Sequence, residues 1–230
     1  MFFRNRKSNY YMKRILIFSL FLVFLTNINF SRAQDCPQGI NLIPMYGQVK
    51  KCTQQIQSDN QFIEEAEKQF KNKKAASEYY ANKGWEYFYK DELDTSMKRF
   101  NQAWLLDNEN PNAFWGFGNI LGKKKEYEKS VVYLEKSIAL DPNNGKVFYC
   151  AAVSYGQIFM EKNDKKYLDL AIKNLNKAVK IEPKNGSYYA QLANSYAYYQ
   201  KKDSLNKYIR KTDEIDPKLI NPEVRKFAKK

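Results

Sequence analysis

The sequence predicts an all-α solenoid of about four helix pairs, with an N-terminal packing helix and a short C-terminal capping helix. Three observations carry that expectation. Amphipathic helical stretches alternate with short polar turns through the C-terminal three quarters of the chain. Acidic residues that close every second helix (Asp107, Asp141, Glu182 and Asp216) recur at spacings of 34, 41 and 34 residues. Three of the four are followed directly by proline (Pro142, Pro183, Pro217), and after Asp107 the proline comes at Pro111. Within each pair, small and large residues return at the same offsets. A chain that is 43% hydrophobic and 16% aromatic has enough apolar material for a core, so compositional disorder is excluded.

The formal charge of +14 is unevenly spread. Residues 1–33 hold six of the 39 basic residues and no acid; the rest of the chain is only mildly cationic. That balance does not point to a nucleic-acid partner.

Residues 1–33 read as a signal peptide. Lys13-Arg14 precedes an apolar run from Ile15 to Phe24, shorter than the roughly 20 residues a membrane span needs. Ser31-Arg32-Ala33 places small residues three and one before Gln34, the pattern a signal peptidase cuts. An uncleaved anchor is the competing reading. Asp35 before Cys36 does not fit a lipoprotein signal. The expected location is exported, in the periplasm or another extracytoplasmic space of a bacterium, with no stable membrane span after cleavage.

Residues 34–74 form an N-terminal extension. Cys36–Gly47, with Pro37, Gly39, Pro44 and Gly47, reads as irregular chain. Cys36 and Cys52 would meet an oxidising space after export, and a disulfide between them closes a loop of about 16 residues, stabilising by about 3 kcal/mol. From Ser58, paired with Gln61 in the spacing of a capping box, Phe62, Ile63, Ala66 and Phe70 follow at helical intervals. This helix is expected to cover the first repeat.

The repeat region spans residues 75–217, in units of about 77–110, 111–144, 145–185 and 186–217. In each first helix a small residue marks a close crossing: Gly84, Gly118, Ala152 and Ala193. Tyr87, Leu121, Tyr155 and Tyr196 follow three residues later. In the second helices Ser96, Ser130 and Ala171 meet that crossing, with Leu205 an exception, and Phe100, Leu134, Leu175 and Ile209 follow four residues on. Seven extra residues between Tyr155 and Leu168 lengthen the third unit, either in its first helix or in a turn around Lys162–Lys166. Residues 218–230 hold the capping helix, with Asn221 as N-cap and Pro222 at the first helical position.

These positions resemble the tetratricopeptide repeat, a 34-residue helix pair with the pattern W-x2-L-G-x2-Y, A-x3-F and P. Arg99–Asp107 followed by Ala113–Gly118 is also similar to exported bacterial members without assigned activity. The resemblance implies a concave groove lined by the first helices. Carried over through the register, its candidates are Asn82, Trp85 and Tyr89 in the first unit and Asn112, Trp115, Asn119 and Lys123 in the second. The third supplies Lys146, Tyr149 and Gln157, and the fourth Gln191, Asn194 and Tyr198.

Aromatic rings mixed with amides suit an extended peptide, because amides bond its backbone and rings add contact area at low entropic cost. A carbohydrate ligand is a second reading, and self-association as an envelope component a third. Trp85 and Trp115 could instead pack under the N-terminal helix and leave no open site.

The chain holds no histidine, no Cys-x-x-Cys and no phosphate-binding glycine loop. Cys150, inside a helical pattern, reads as a small packed residue. No enzyme activity, cofactor or metal is therefore expected; the expected role is a protein-interaction scaffold for a protein or peptide partner. For export, N-terminal sequencing of the protein from its own cells should begin at Gln34; a chain that keeps Ile15–Phe24 would contradict cleavage.

Overall fold

Helix pairs stack in register along a computed structural model that describes residues 36–229. The signal segment and its boundary at Ala33 lie outside the described residues. Among the described residues there are ten α-helices. They are α1 (Thr53–Gln69), α2 (Lys73–Tyr89), α3 (Leu93–Leu106), α4 (Pro111–Lys123), α5 (Tyr127–Leu140), α6 (Gly145–Lys162), α7 (Lys165–Ile181), α8 (Gly186–Tyr198), α9 (Lys202–Asp213) and α10 (Pro222–Lys229). Helices α2/α3, α4/α5, α6/α7 and α8/α9 are the four repeats. None of the helices is long and apolar enough to cross a membrane.

The punctuation is shared by three of the four joints. At Asp107, Asp141 and Asp216 the carboxylate accepts the backbone N–H two residues on, at 3.1, 3.1 and 2.9 Å. Glu182, one methylene longer, instead accepts from the Tyr188 hydroxyl at 2.9 Å. An asparagine then caps the next helix: Asn110, Asn144, Asn185 and Asn221 each accept the N–H two positions on. Inside each unit a single residue turns the chain through the left-handed region: Asp91, Lys125, Asn163 and Gln200, with φ between 51° and 63°. None is glycine, although that conformation costs an L-residue about 1–2 kcal/mol.

The crossing positions close as their sizes require. Ser96 Oγ donates to the Gly84 carbonyl at 2.8 Å, and Ser130 Oγ to the Gly118 carbonyl at 2.8 Å. At the other end of each pair the two helices are joined again. Ser77 of α2 donates to the Ala103 carbonyl of α3, and in the next repeat Ser137 of α5 donates to the Pro111 carbonyl of α4, with the donor helix exchanged. Phe100, fully buried, lies against both Gly84 and Gly116, and a Cβ at either glycine would overlap its ring. Leu134 occupies the equivalent place against Gly118.

The insertion in the third unit enters the helices. Helix α6 has 18 residues where α4 has 13, and α7 has 17 where α5 has 14, while the turn shrinks to Asn163 and Asp164. Asn163 takes the left-handed position and Asp164 caps Lys166 N at 3.0 Å, so the longer hairpin needs no longer turn.

Both ends are covered. Helix α1 packs Phe62, Ile63 and Phe70 onto Ala76, Tyr80 and Leu106 of the first repeat. It begins at Thr53, five residues before the Ser58 expected from the capping-box spacing. The reason is the Cys36–Cys52 disulfide, which fixes Cys52 as N-cap, while Gln55 Oε1 accepts Cys52 N at 3.2 Å and its amide donates to the Pro37 carbonyl. Ser58 bonds the Gln54 carbonyl within the helix. Likewise α2 starts at Lys73, inside the segment read as extension, because Asn72 Oδ1 caps Ala75 N at 2.8 Å.

The irregular segment from Gly39 to Gln48 crosses α3 as a strap. Buried Asn101 donates to the Asn41 and Ile43 carbonyls at 3.0 and 2.9 Å and accepts from Tyr46 N at 3.4 Å. Met45 enters the core beside Met97 and Phe100. At the far end Ile220, Val224 and Phe227 cover Ala193, Leu205 and Ile209.

Phe100→Ala should lower unfolding free energy by about 3–5 kcal/mol in urea titration, because the ring fills the joint between two units. A loss below about 1 kcal/mol would contradict the close crossing.

Candidate partner-binding groove

Successive first helices touch one another (α2 with α4, α4 with α6), and no two second helices make a comparable contact among the described residues. The stack therefore curves with its first helices inside. Because a helical turn brings back the same face every three or four residues, positions between the packed glycines and alanines point into that curve.

The inner face has three parts. At its N-terminal end Trp85 and Trp115 meet with ring centroids 4.4 Å apart. Trp85 also rests edge-on against Phe100 at 5.2 Å and Phe88 at 5.4 Å. Neither tryptophan lies under the N-terminal helix, whose aromatic contacts go to Tyr79 and Tyr80. Tyr89 stands 78% exposed beside Trp85, and Asn82 is exposed on the same helix. Lys123 sits 5.0 Å above the Phe88 ring and pairs with Asp91. Both cation contacts anchor the end of α4 to the first unit.

The middle is tied together. Asn112 donates to Glu78 at 3.2 Å, bridging α4 and α2. Asn119 donates to the Trp115 carbonyl at 2.9 Å and accepts from the Cys150 thiol at 3.5 Å. Each end of that amide is thus already engaged within the protein. The enclosed indole N–H of Trp115 reaches no oxygen or nitrogen acceptor and meets only the Cys150 sulfur, a weak one. Burial raises the Cys150 pKa, which keeps the thiol protonated and makes it a packing residue, not a nucleophile.

Toward the C-terminus Tyr149, Gln191 and Asn194 share a recess of about 320 Å³ with Ser187, Leu219 and Val224. Tyr149 forms one wall, stacked 5.2 Å from Tyr188, whose phenol pKa is raised by burial and by its bond to Glu182. Lys146 and Gln157 are exposed on α6 and stand outside this recess. So does Tyr198, which leans edge-on against Phe159 at 5.7 Å. Sequence reasoning missed Ser187 and the wall supplied by Leu219 and Val224. Asn221 and Pro222 signalled a capping helix within residues 218–230, but not that the cap borders the groove.

The tetratricopeptide-repeat family profile matches residues 111–144, the second helix pair. Among curated proteins none matches the chain. Several solved structures share the fold. A crystal structure of MamA superposes with a TM-score of 0.55 at 18% identity, covering 74% of this chain and 98% of that one. A thermophilic TPR protein of Thermus thermophilus gives 0.54 at 16% identity, covering 66% and 79%. MamA from Desulfovibrio magneticus gives 0.53 at 18% identity, covering 62% and 76%. At such identities the likeness is one of fold.

Proposed function

We propose that this tetratricopeptide-repeat fold serves as an exported, non-enzymatic scaffold that holds an extended peptide segment of a partner protein along its inner face. The observation that carries this reading is the composition of that face. An aromatic platform of Trp85, Trp115 and exposed Tyr89 lies at one end, and Gln191 and Asn194 line a recess at the other. Among the described residues the side-chain amides of Asn82, Gln191 and Asn194 make no hydrogen bond, so they are free to bond a peptide backbone. Rigid rings give contact area with few rotamers to freeze.

The engaged amides have a different part. Asn112 and Asn119 hold α2, α4 and α6 in fixed relation, which keeps the platform in place before a partner arrives. Export is supported by the apolar run from Ile15 to Phe24 and by the Cys36–Cys52 pair, since oxidised cysteines are typical of an oxidising compartment.

The test uses residues 34–230, the chain expected after signal cleavage. Peptides selected from a random display library should bind in anisotropy titrations. Asn82→Ala with Tyr89→Ala, and separately Gln191→Ala with Asn194→Ala, should each weaken binding tenfold or more. None of these side chains belongs to the buried core, so folding is retained, which circular dichroism checks. Peptides that bind both double variants as tightly as the parent would refute the groove.

A further inference from the structure

The outer surface is chemically unlike the inner one. From Pro111 onward the chain carries 23 Lys and Arg against 13 Asp and Glu, whereas residues 36–110 carry 10 against 11. The largest share on a single helix, four of these ten excess charges, lies on α7, the second helix of the third unit, which contains five lysines and a single acid, Asp169. Lys166, Lys173, Lys177 and Lys180 follow one another at intervals of seven, four and three. At 100° per residue they fall within about 60° of arc and extend over about 21 Å of helix.

All four side chains are exposed. Lys166 pairs with Asp164 at the helix start; Lys173, Lys177 and Lys180 have no ion pair, hydrogen bond or ring contact among the described residues. Asp169, at the edge of the arc, is taken by the Tyr199 hydroxyl. Elsewhere some exposed lysines are matched, Lys124 with Asp94, Lys129 with Glu126, Lys162 with Glu128 and Lys211 with Glu214, and others such as Lys68, Lys71 and Lys98 are not; what sets α7 apart is that its unpaired lysines share one face of one helix.

We propose that the α7 lysine row is a docking surface for anionic phospholipid headgroups, by which the protein lies against a membrane while its inner face stays free. The features of the row favour a sheet of charge over a discrete partner. The cations stand in single file on the outside of the curve, with no arginine fork among them, and neither the groove recess nor the strap touches them. Lysines used this way act as delocalised point charges whose contributions add, about fivefold in affinity for each. Attachment of this kind is screened by salt and needs no membrane-spanning helix. The proposal is independent of the peptide reading.

Vesicle co-sedimentation of residues 34–230 tests it. The protein should pellet with phosphatidylcholine vesicles containing phosphatidylglycerol at low ionic strength. It should stay in solution with phosphatidylcholine alone, and be released at about 0.5 M salt, where the Debye length is under about 5 Å. Lys173→Glu, Lys177→Glu and Lys180→Glu together should cut binding about a hundredfold or more. Lys68→Glu, Lys71→Glu and Lys98→Glu, the same charge change at exposed sites near the other end, should cost less than tenfold. Equal losses in the two triple variants would overturn the assignment to α7, and so would no loss in either. Soluble polyphosphate bound through α7, with vesicles ignored, would overturn the lipid assignment.

Discussion

Everything in this fold depends on how closely the two helices of a repeat cross. At Gly84 and Gly118 the missing side chain lets a serine hydroxyl from the partner helix reach a backbone carbonyl at 2.8 Å. A hydroxyl buried without an acceptor would be costly, so serine and glycine specify each other there. The same closeness creates the slot for Phe100, which touches the first helices of two units at once and so sets the angle between them. Curvature follows from that angle, and the inner face from the curvature.

A stack of identical pairs leaves an apolar face at each end, and the two ends are treated differently. The C-terminal end has a helix, α10, that begins on an asparagine cap and a proline. The N-terminal end has α1 and a strap whose Met45, Tyr46 and Gln48 adopt left-handed backbone conformations. That conformation is unfavourable for an L-residue; burial of Met45 and three hydrogen bonds to Asn101 offset it. The disulfide stabilises the same segment by restricting its unfolded state.

Register was legible in the sequence because it is a packing constraint: Gly84, Gly118, Ala152 and Ala193 admit few alternatives at a helix crossing. The insertion was legible in place but not in form, since two extended helices and a long turn have the same length in sequence. The start of α1 was hidden, because a disulfide-bonded cysteine served as cap where Ser58 and Gln61 had the better spacing. Nothing in the sequence marks Asn101 as buried; only the path of a strap some sixty positions away reveals its partners. In the groove, the aromatic pair Trp85–Trp115 could be placed from the register. The engagement of Asn119 could not, because it depends on Cys150 in the next unit.

Two surfaces result, an inner one of rings and amides and an outer one that carries the lysine row of α7. The most direct test of this division is amide hydrogen exchange of residues 34–230 with a display-selected peptide bound. The account predicts added protection in α2, α4, α6 and α8, with α3, α5 and α7 unchanged. Protection concentrated on the second helices would contradict it.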